Sequence, residues 1–128
     1  MDEDLNRPSS EIIGAAMKIH RALGPGLLNS IYDKALLYEL RNRNMEVLSE
    51  VSLPISYKEL EVRDAYRIDL VVDNTIILGV KEVQEITQHH PAQLPNDLRL
   101  AQKPLGLILN FQVPALRDGI ARLINKPL

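Results

Sequence analysis

The chain has 128 residues, of which 45% are apolar and 25% charged, with a formal net charge of −2 and no cysteine. That size and balance suit a single domain, residues 1–128, with a core of its own. The missing cysteines exclude disulfides, thiolate metal centres and a cysteine nucleophile, and the small net charge leaves any phosphate binding to a local basic patch.

No apolar run approaches the roughly 18 residues of a membrane span, and the start Met1-Asp2-Glu3-Asp4 is acidic, so no signal or transit peptide is predicted and a cytoplasmic protein is expected. Residues 1–8 read as a flexible N-terminus. Ile12, Ala16, Ile19 and Leu23 fall at helical spacing behind Ser9 or Ser10, either of which can cap, and predict a helix over 9–23. Gly24-Pro25-Gly26 ends it, because glycine permits a left-handed turn and proline cannot continue a helix. A second helix is predicted over 28–43, with Leu28, Ile31, Tyr32, Ala35 and Leu36 as its buried face and Asn44 as a left-handed cap.

From Val47 to Tyr57 the residues alternate as in a half-buried strand. Val47, Val51, Leu53, Ile55 and Tyr57 face one side, while Leu48, Glu50, Ser52, Ser56 and Lys58 are left mostly to water. A turn at 59–61 leads to strands at 62–72 and 76–83. Residues 88–102 have a helical pattern interrupted by Pro91 and Pro95, and 105–110 form a short apolar strand. Pro114 then suits the first turn of a last helix with Leu116, Ile120, Leu123 and Ile124 on its apolar side. The order α-α-β-β-β-α-β-α predicts an α/β sandwich around a central mixed sheet.

Within the hairpin, Asp69 and Lys81 are charges set among apolar residues. If Asp73-Asn74-Thr75 forms a three-residue loop, residue 72 pairs with 76 and Asp69 lies opposite Gly79. A two-residue loop would instead put Asp69 opposite Leu78 and bring Glu82, not Lys81, onto its face. The three-residue loop is the expected one.

These pieces occur in order with Gly24-Pro25-Gly26-Leu27-Leu28, Tyr32, Tyr38-Glu39-Leu40-Arg41, Tyr66-Arg67-Ile68-Asp69-Leu70, Lys81, His90 to Leu94 and Leu109-Asn110-Phe111. Together, over about residues 10–125, they resemble the GxxExxY family of the PD-(D/E)XK nuclease superfamily. The resemblance implies a restriction-endonuclease-like fold. It also implies a site in which Asp69, the main-chain carbonyl of Val80, Lys81 and Gln93 work on nucleic acid with Mg²⁺ or Mn²⁺. Mg²⁺ takes oxygen ligands, usually one or two carboxylates plus water, and the lysine orients that water or offsets charge on phosphorus.

The departures are specific. Asn29 stands where the family has its name-giving glutamate, Gly79 where its hairpin carries a second one, and Pro95 interrupts the segment bearing Gln93. An incomplete and impaired site is therefore expected. The alternative is a non-catalytic, homodimeric binding or assembly module that retains the fold; a small-molecule binder in the vacated cleft is a third reading.

Plainer readings stand beside these. Asp69 can be a strand charge paired with Lys81 or Arg67. His89 and His90 suit a loop or helix start better than a metal pair. Tyr32 and Tyr38 read as core or core-edge aromatics. Asp33, one helical turn from Asn29, is able to reach the same space. Lys34, Arg41 and Arg43, and separately Arg117, Arg122 and Lys126, form modest basic stripes of the kind that usually face solvent.

Overall fold

The computed structural model describes residues 2–81, 99 and 101–124. Helix α1 (Asp2–Leu23) begins earlier than the capping pattern implied. Ser9 is not its cap but a buried residue inside it, donating from Oγ to the Asn6 carbonyl at 3.1 Å. The helix ends as predicted: Gly24 takes φ +70° and donates its N–H to the His20 carbonyl at 2.8 Å.

Helix α2 (Asn29–Asn42) buries Tyr32, Leu36 and Leu40, one residue per turn. The buried stripe is rotated from the expected face, since Leu28 and Ile31 are 71% and 40% exposed and Tyr38 is 69% exposed. Tyr32 stacks on Phe111 with centroids 4.5 Å apart, and its hydroxyl donates to the Gly24 carbonyl while accepting the Leu27 N–H. The turn between the helices is thus tied to the core. Asn44 adopts φ 63°, the left-handed cap foreseen for it.

Five strands form one sheet in sequential order: β1 (Val47–Tyr57), β2 (Leu60–Val72), β3 (Ile76–Val80), β4 (Leu105–Leu109) and β5 (Ile120–Ile124). The β3–β4 pair is parallel and the others are antiparallel. The architecture is the expected α/β arrangement around a mixed sheet, with one correction at its end. Pro114 leads not into a helix but into a short 3₁₀ turn (Leu116–Gly119), and residues 120–124 pair with β4. Ile120, Leu123 and Ile124 fit helical spacing, yet β4 offers an open row of backbone donors and acceptors, and pairing with it decides the outcome. The predicted helix over 88–102 lies almost wholly outside the described residues.

Gly119 makes this last turn possible. A Cβ there would collide with the Asn110 carbonyl oxygen and lie 3.0 Å from Val113 Cγ2, while the Gly119 carbonyl accepts the Asn110 N–H at 2.8 Å. Gly119→Ala is expected to destabilise the protein by about 3 kcal/mol in chemical denaturation, because the obstacle is backbone that cannot step aside.

The core has two parts. One joins the helices to Val47, Leu70, Val72, Leu78, Val80 and neighbouring strand residues. The other, on the opposite face, gathers Ile68, Val71, Ile77 and Ile108 with Val51 and Leu53 packed on them. Strict alternation would keep Val47 with Val51 and Ile68 with Leu70. Each pair is instead divided between the two clusters, so β1 and β2 both change face between these residues. Beyond that point β1 and β2 continue as a two-stranded ribbon whose tip exposes Tyr57 and Leu60 at 63% and 60%.

Candidate active site

The β2–β3 hairpin adopts the three-residue loop. Val72 pairs with Ile76 and Leu70 with Leu78, and Asp73 and Asn74 take φ 50° and 57°. Asp73 also fastens the loop to the start of β1, donating its N–H to the Glu46 carbonyl at 2.7 Å and accepting the Glu46 N–H on Oδ1 at 2.9 Å.

The backbone ladder stops at the Leu70–Leu78 pair, and the next contact is made by a side chain. Asp69 Oδ2 accepts the Val80 N–H at 3.0 Å and lies 3.7 Å from Lys81 Nζ. Lys81 is held in turn by its own N–H, which donates to the Leu109 carbonyl at 3.1 Å. The structure therefore brings Asp69, within β2, together with Lys81, just past the end of β3. Gly79 contributes no oxygen. Among the described residues, a Cβ at that position would meet the Lys81 stem, Cε at 3.7 Å and Cγ at 3.9 Å.

Next to this pair lies a cavity of about 350 Å³ walled by α2, β1 and β2. Asp33, Lys34, Glu50, Arg67 and Asp69 are its charged lining. Asp33 Oδ1 is buried and has no hydrogen-bond partner among the described residues. Burial, then the negative charge of Asp69, pushes the Asp33 carboxyl up to about 7; Lys81 opposes this and Glu50 adds to it. Glu50 has φ 52° in mid-strand, an unusual backbone state for a residue with a side chain. It sits between the paired residues Ser49 and Val51, across the sheet from Asp69.

Asn29 is employed elsewhere. Its Oδ1 accepts from Gln112 Nε2 at 3.3 Å, and Gln112 also accepts the Gly26 N–H and donates to the Leu27 carbonyl. This clasp joins the interhelix turn to the chain after β4. Arg41 and Arg43 are likewise committed, Arg41 to the Val47 carbonyl and Arg43 to Glu11 and Glu39. Gln93, His89 and His90 lie outside the described residues.

A family profile of the PD-(D/E)XK nuclease superfamily matches residues 6–123. The chain belongs to the PD-(D/E)XK nuclease superfamily. The crystal structure of SSO0001 is similar to this PD-(D/E)XK domain with a TM-score of 0.51 and 25% identity, over 77% of this chain and 50% of that one. This chain thus matches half the length of that protein. No curated protein matches it in a sequence comparison.

PD-(D/E)XK nucleases generally use divalent metal ions and act on nucleic acid. Among the described residues no group of three or more His, Cys, Asp and Glu side chains is placed to hold a metal. The donors do suit a hard cation held by fewer protein ligands: two carboxylates, Asp33 and Asp69, share a cavity, and one buried oxygen of Asp33 has no partner among the described residues. No helix among the described residues is long and apolar enough to cross a membrane.

Proposed function

We propose that this domain is a metal-dependent phosphodiesterase of the GxxExxY kind, acting on nucleic acid in the cytoplasm, with a reduced acid set and correspondingly slow hydrolysis. The observation that carries the reading is the Asp69–Lys81 pair, 3.7 Å apart beside Val80. Asp69 and the Val80 main-chain carbonyl would hold Mg²⁺ or Mn²⁺, and Gln93 is assigned to the site by family resemblance. When bound, the cation supplies charge neutralisation on the phosphate and a more acidic water. Lys81 supports an attacking water and offsets charge gathering on the phosphoryl oxygens, acting as a mobile point charge. Asp69 keeps Lys81 in place and, through the Val80 N–H, fixes the strand end on which the site is built. Lys34 and Arg67, on the cavity wall, draw the phosphate backbone toward it.

Single- and double-stranded DNA and RNA incubated with Mg²⁺ or Mn²⁺ test this. Weak, metal-dependent cleavage is expected from the natural chain, and Lys81→Met and Asp69→Asn should each lower it at least about 100-fold while leaving the protein folded. The second reading, a homodimeric binding module, is favoured by the side-chain-free Gly79. Nucleic acid bound without cleavage under every metal condition, by a chain that light scattering finds dimeric, would establish that reading instead.

A further inference from the structure

We propose that the outer face of α2 is a dimer interface, on which a second copy of this chain lays its own α2 in antiparallel order. The inference holds for a cleaving or a non-cleaving domain, so it stands or falls apart from the catalytic reading.

The helix carries two apolar stripes. Tyr32, Leu36 and Leu40 fill the core of the single copy. Leu28 at the N-cap, then Ile31, Ala35 and Tyr38, form the second, spaced by three, four and three residues. Leu28, Ile31 and Tyr38 are exposed and Ala35 is half-buried. Spacing of three and four is the seam by which helices pack knobs into holes, so the occupant that fits is another helix. A helix face meant for water is polar, and this one is not. Leu23 and Leu27 are exposed at the same end of α2, beside the turn that Tyr32 anchors, and they lengthen the patch.

The seam itself selects a second copy. It is symmetric about residue 33, with 28 and 38 equally far from it, and 31 and 35 likewise. Two α2 helices running in opposite directions therefore set Leu28 of each copy against Tyr38 of the other, and Ile31 against Ala35, about a two-fold axis. Each layer then joins a larger side chain to a smaller one. A parallel pair would stack alanine on alanine and tyrosine on tyrosine, leaving a gap next to an overfilled layer. The exposed Leu23, Leu27, Leu28, Ile31 and Tyr38 would withdraw about 500 Å² of apolar surface per copy, and the polar rim brings the total to about 1,200 Å², the lower end for a specific pair. Charge is no obstacle. Lys18 and Arg43 are paired with Glu39, Arg41 donates to the Val47 carbonyl, and the exposed Lys34 can keep its ammonium in water.

Sedimentation equilibrium of the full chain, from about 1 to 500 μM, reads the association, and a monomer–dimer equilibrium with a micromolar Kd is expected. Ile31→Glu should weaken it at least about tenfold and leave the fold of the dilute protein intact, because residue 31 is exposed in the single copy. Tyr57→Ser, on the equally exposed ribbon tip, should leave the dimer unchanged. The natural chain has no cysteine, so introduced thiols report the helix order. Leu28→Cys mixed with Tyr38→Cys should form disulfide-linked dimers under mild oxidation. Neither should do so alone, since like positions then lie about 15 Å apart along the helices, beyond disulfide reach. A chain that stays monomeric across the range overturns the proposal and needs no variant to do so. A dimer kept by folded Ile31→Glu, or lost in Tyr57→Ser, places the interface elsewhere and overturns it too. Disulfide formation by Leu28→Cys alone overturns the antiparallel order.

Discussion

Gly79→Glu is expected to tighten Mn²⁺ binding by about 100-fold, because carboxylate count is a main determinant of affinity for hard cations. Position 79 continues the register that pairs Leu70 with Leu78, which sets it across from Asp69. Among the described residues, the atoms near a Cβ there are Cε and Cγ of Lys81, both at ordinary contact distance. Replacing a strand glycine also removes backbone freedom from the unfolded chain, which offsets part of the burial penalty of the acid. Calorimetric titration with Mn²⁺ measures the effect, and the melting temperature should rise with the logarithm of added metal once the site is saturated. An unchanged affinity in a folded variant would mean that residue 79 does not open onto the Asp69 pocket. Asn29→Glu alone should do far less, because that side chain is directed to Gln112.

In metal-free protein, Asp33→Asn is expected to raise stability at neutral pH and above and to flatten its pH dependence. The native carboxyl titrates near 7 against 3.8 for the unconstrained group. Below about pH 4 the group is protonated whether the chain is folded or not, and it exacts no penalty. As pH rises from about 4 to 7 the unfolded chain releases this proton and the folded chain retains it, so stability falls across that window. Above about 7 the loss is complete and constant. We expect a gain from the substitution of about 1–2 kcal/mol at pH 8, a value lowered to allow for partial contact of the group with water. Denaturant melts of both proteins between pH 4 and 8, in the presence of a chelator, supply the comparison; parallel curves would show that Asp33 is ordinarily solvated.

Much of the frame was legible because local chemistry and global pairing agree. Asp73 and Asn74 tolerate left-handed backbone, so the three-residue loop and the approach of Asp69 to Lys81 follow from the chain itself. Asn44 behaves in the same way at the end of α2. The last helix was misread because Ile120, Leu123 and Ile124 satisfy helical and extended patterns alike, and only the open edge of β4 distinguishes them. The buried stripe of α2 was displaced because Leu28 and Ile31 look like core residues, while the turn anchored on Tyr32 rotates the helix away from them. At the site, Asp33 could be seen as a neighbour of Asn29, but its lack of a partner depends on what surrounds it in three dimensions. Glu50 carried no signal at all: alternation assigned it to water, and nothing in a glutamate announces positive φ. The clasp between Asn29 and Gln112 joins residues too distant in sequence for any local pattern to reveal.

The change of face in β1 and β2 divides the ribbon into an inner part packed on the helices and an outer part beyond them. Its far end exposes Tyr57 and Leu60, and the change of face falls beside Glu50 and Asp69. The same two strands that carry the exposed tip therefore also carry two of the acids of the cavity wall.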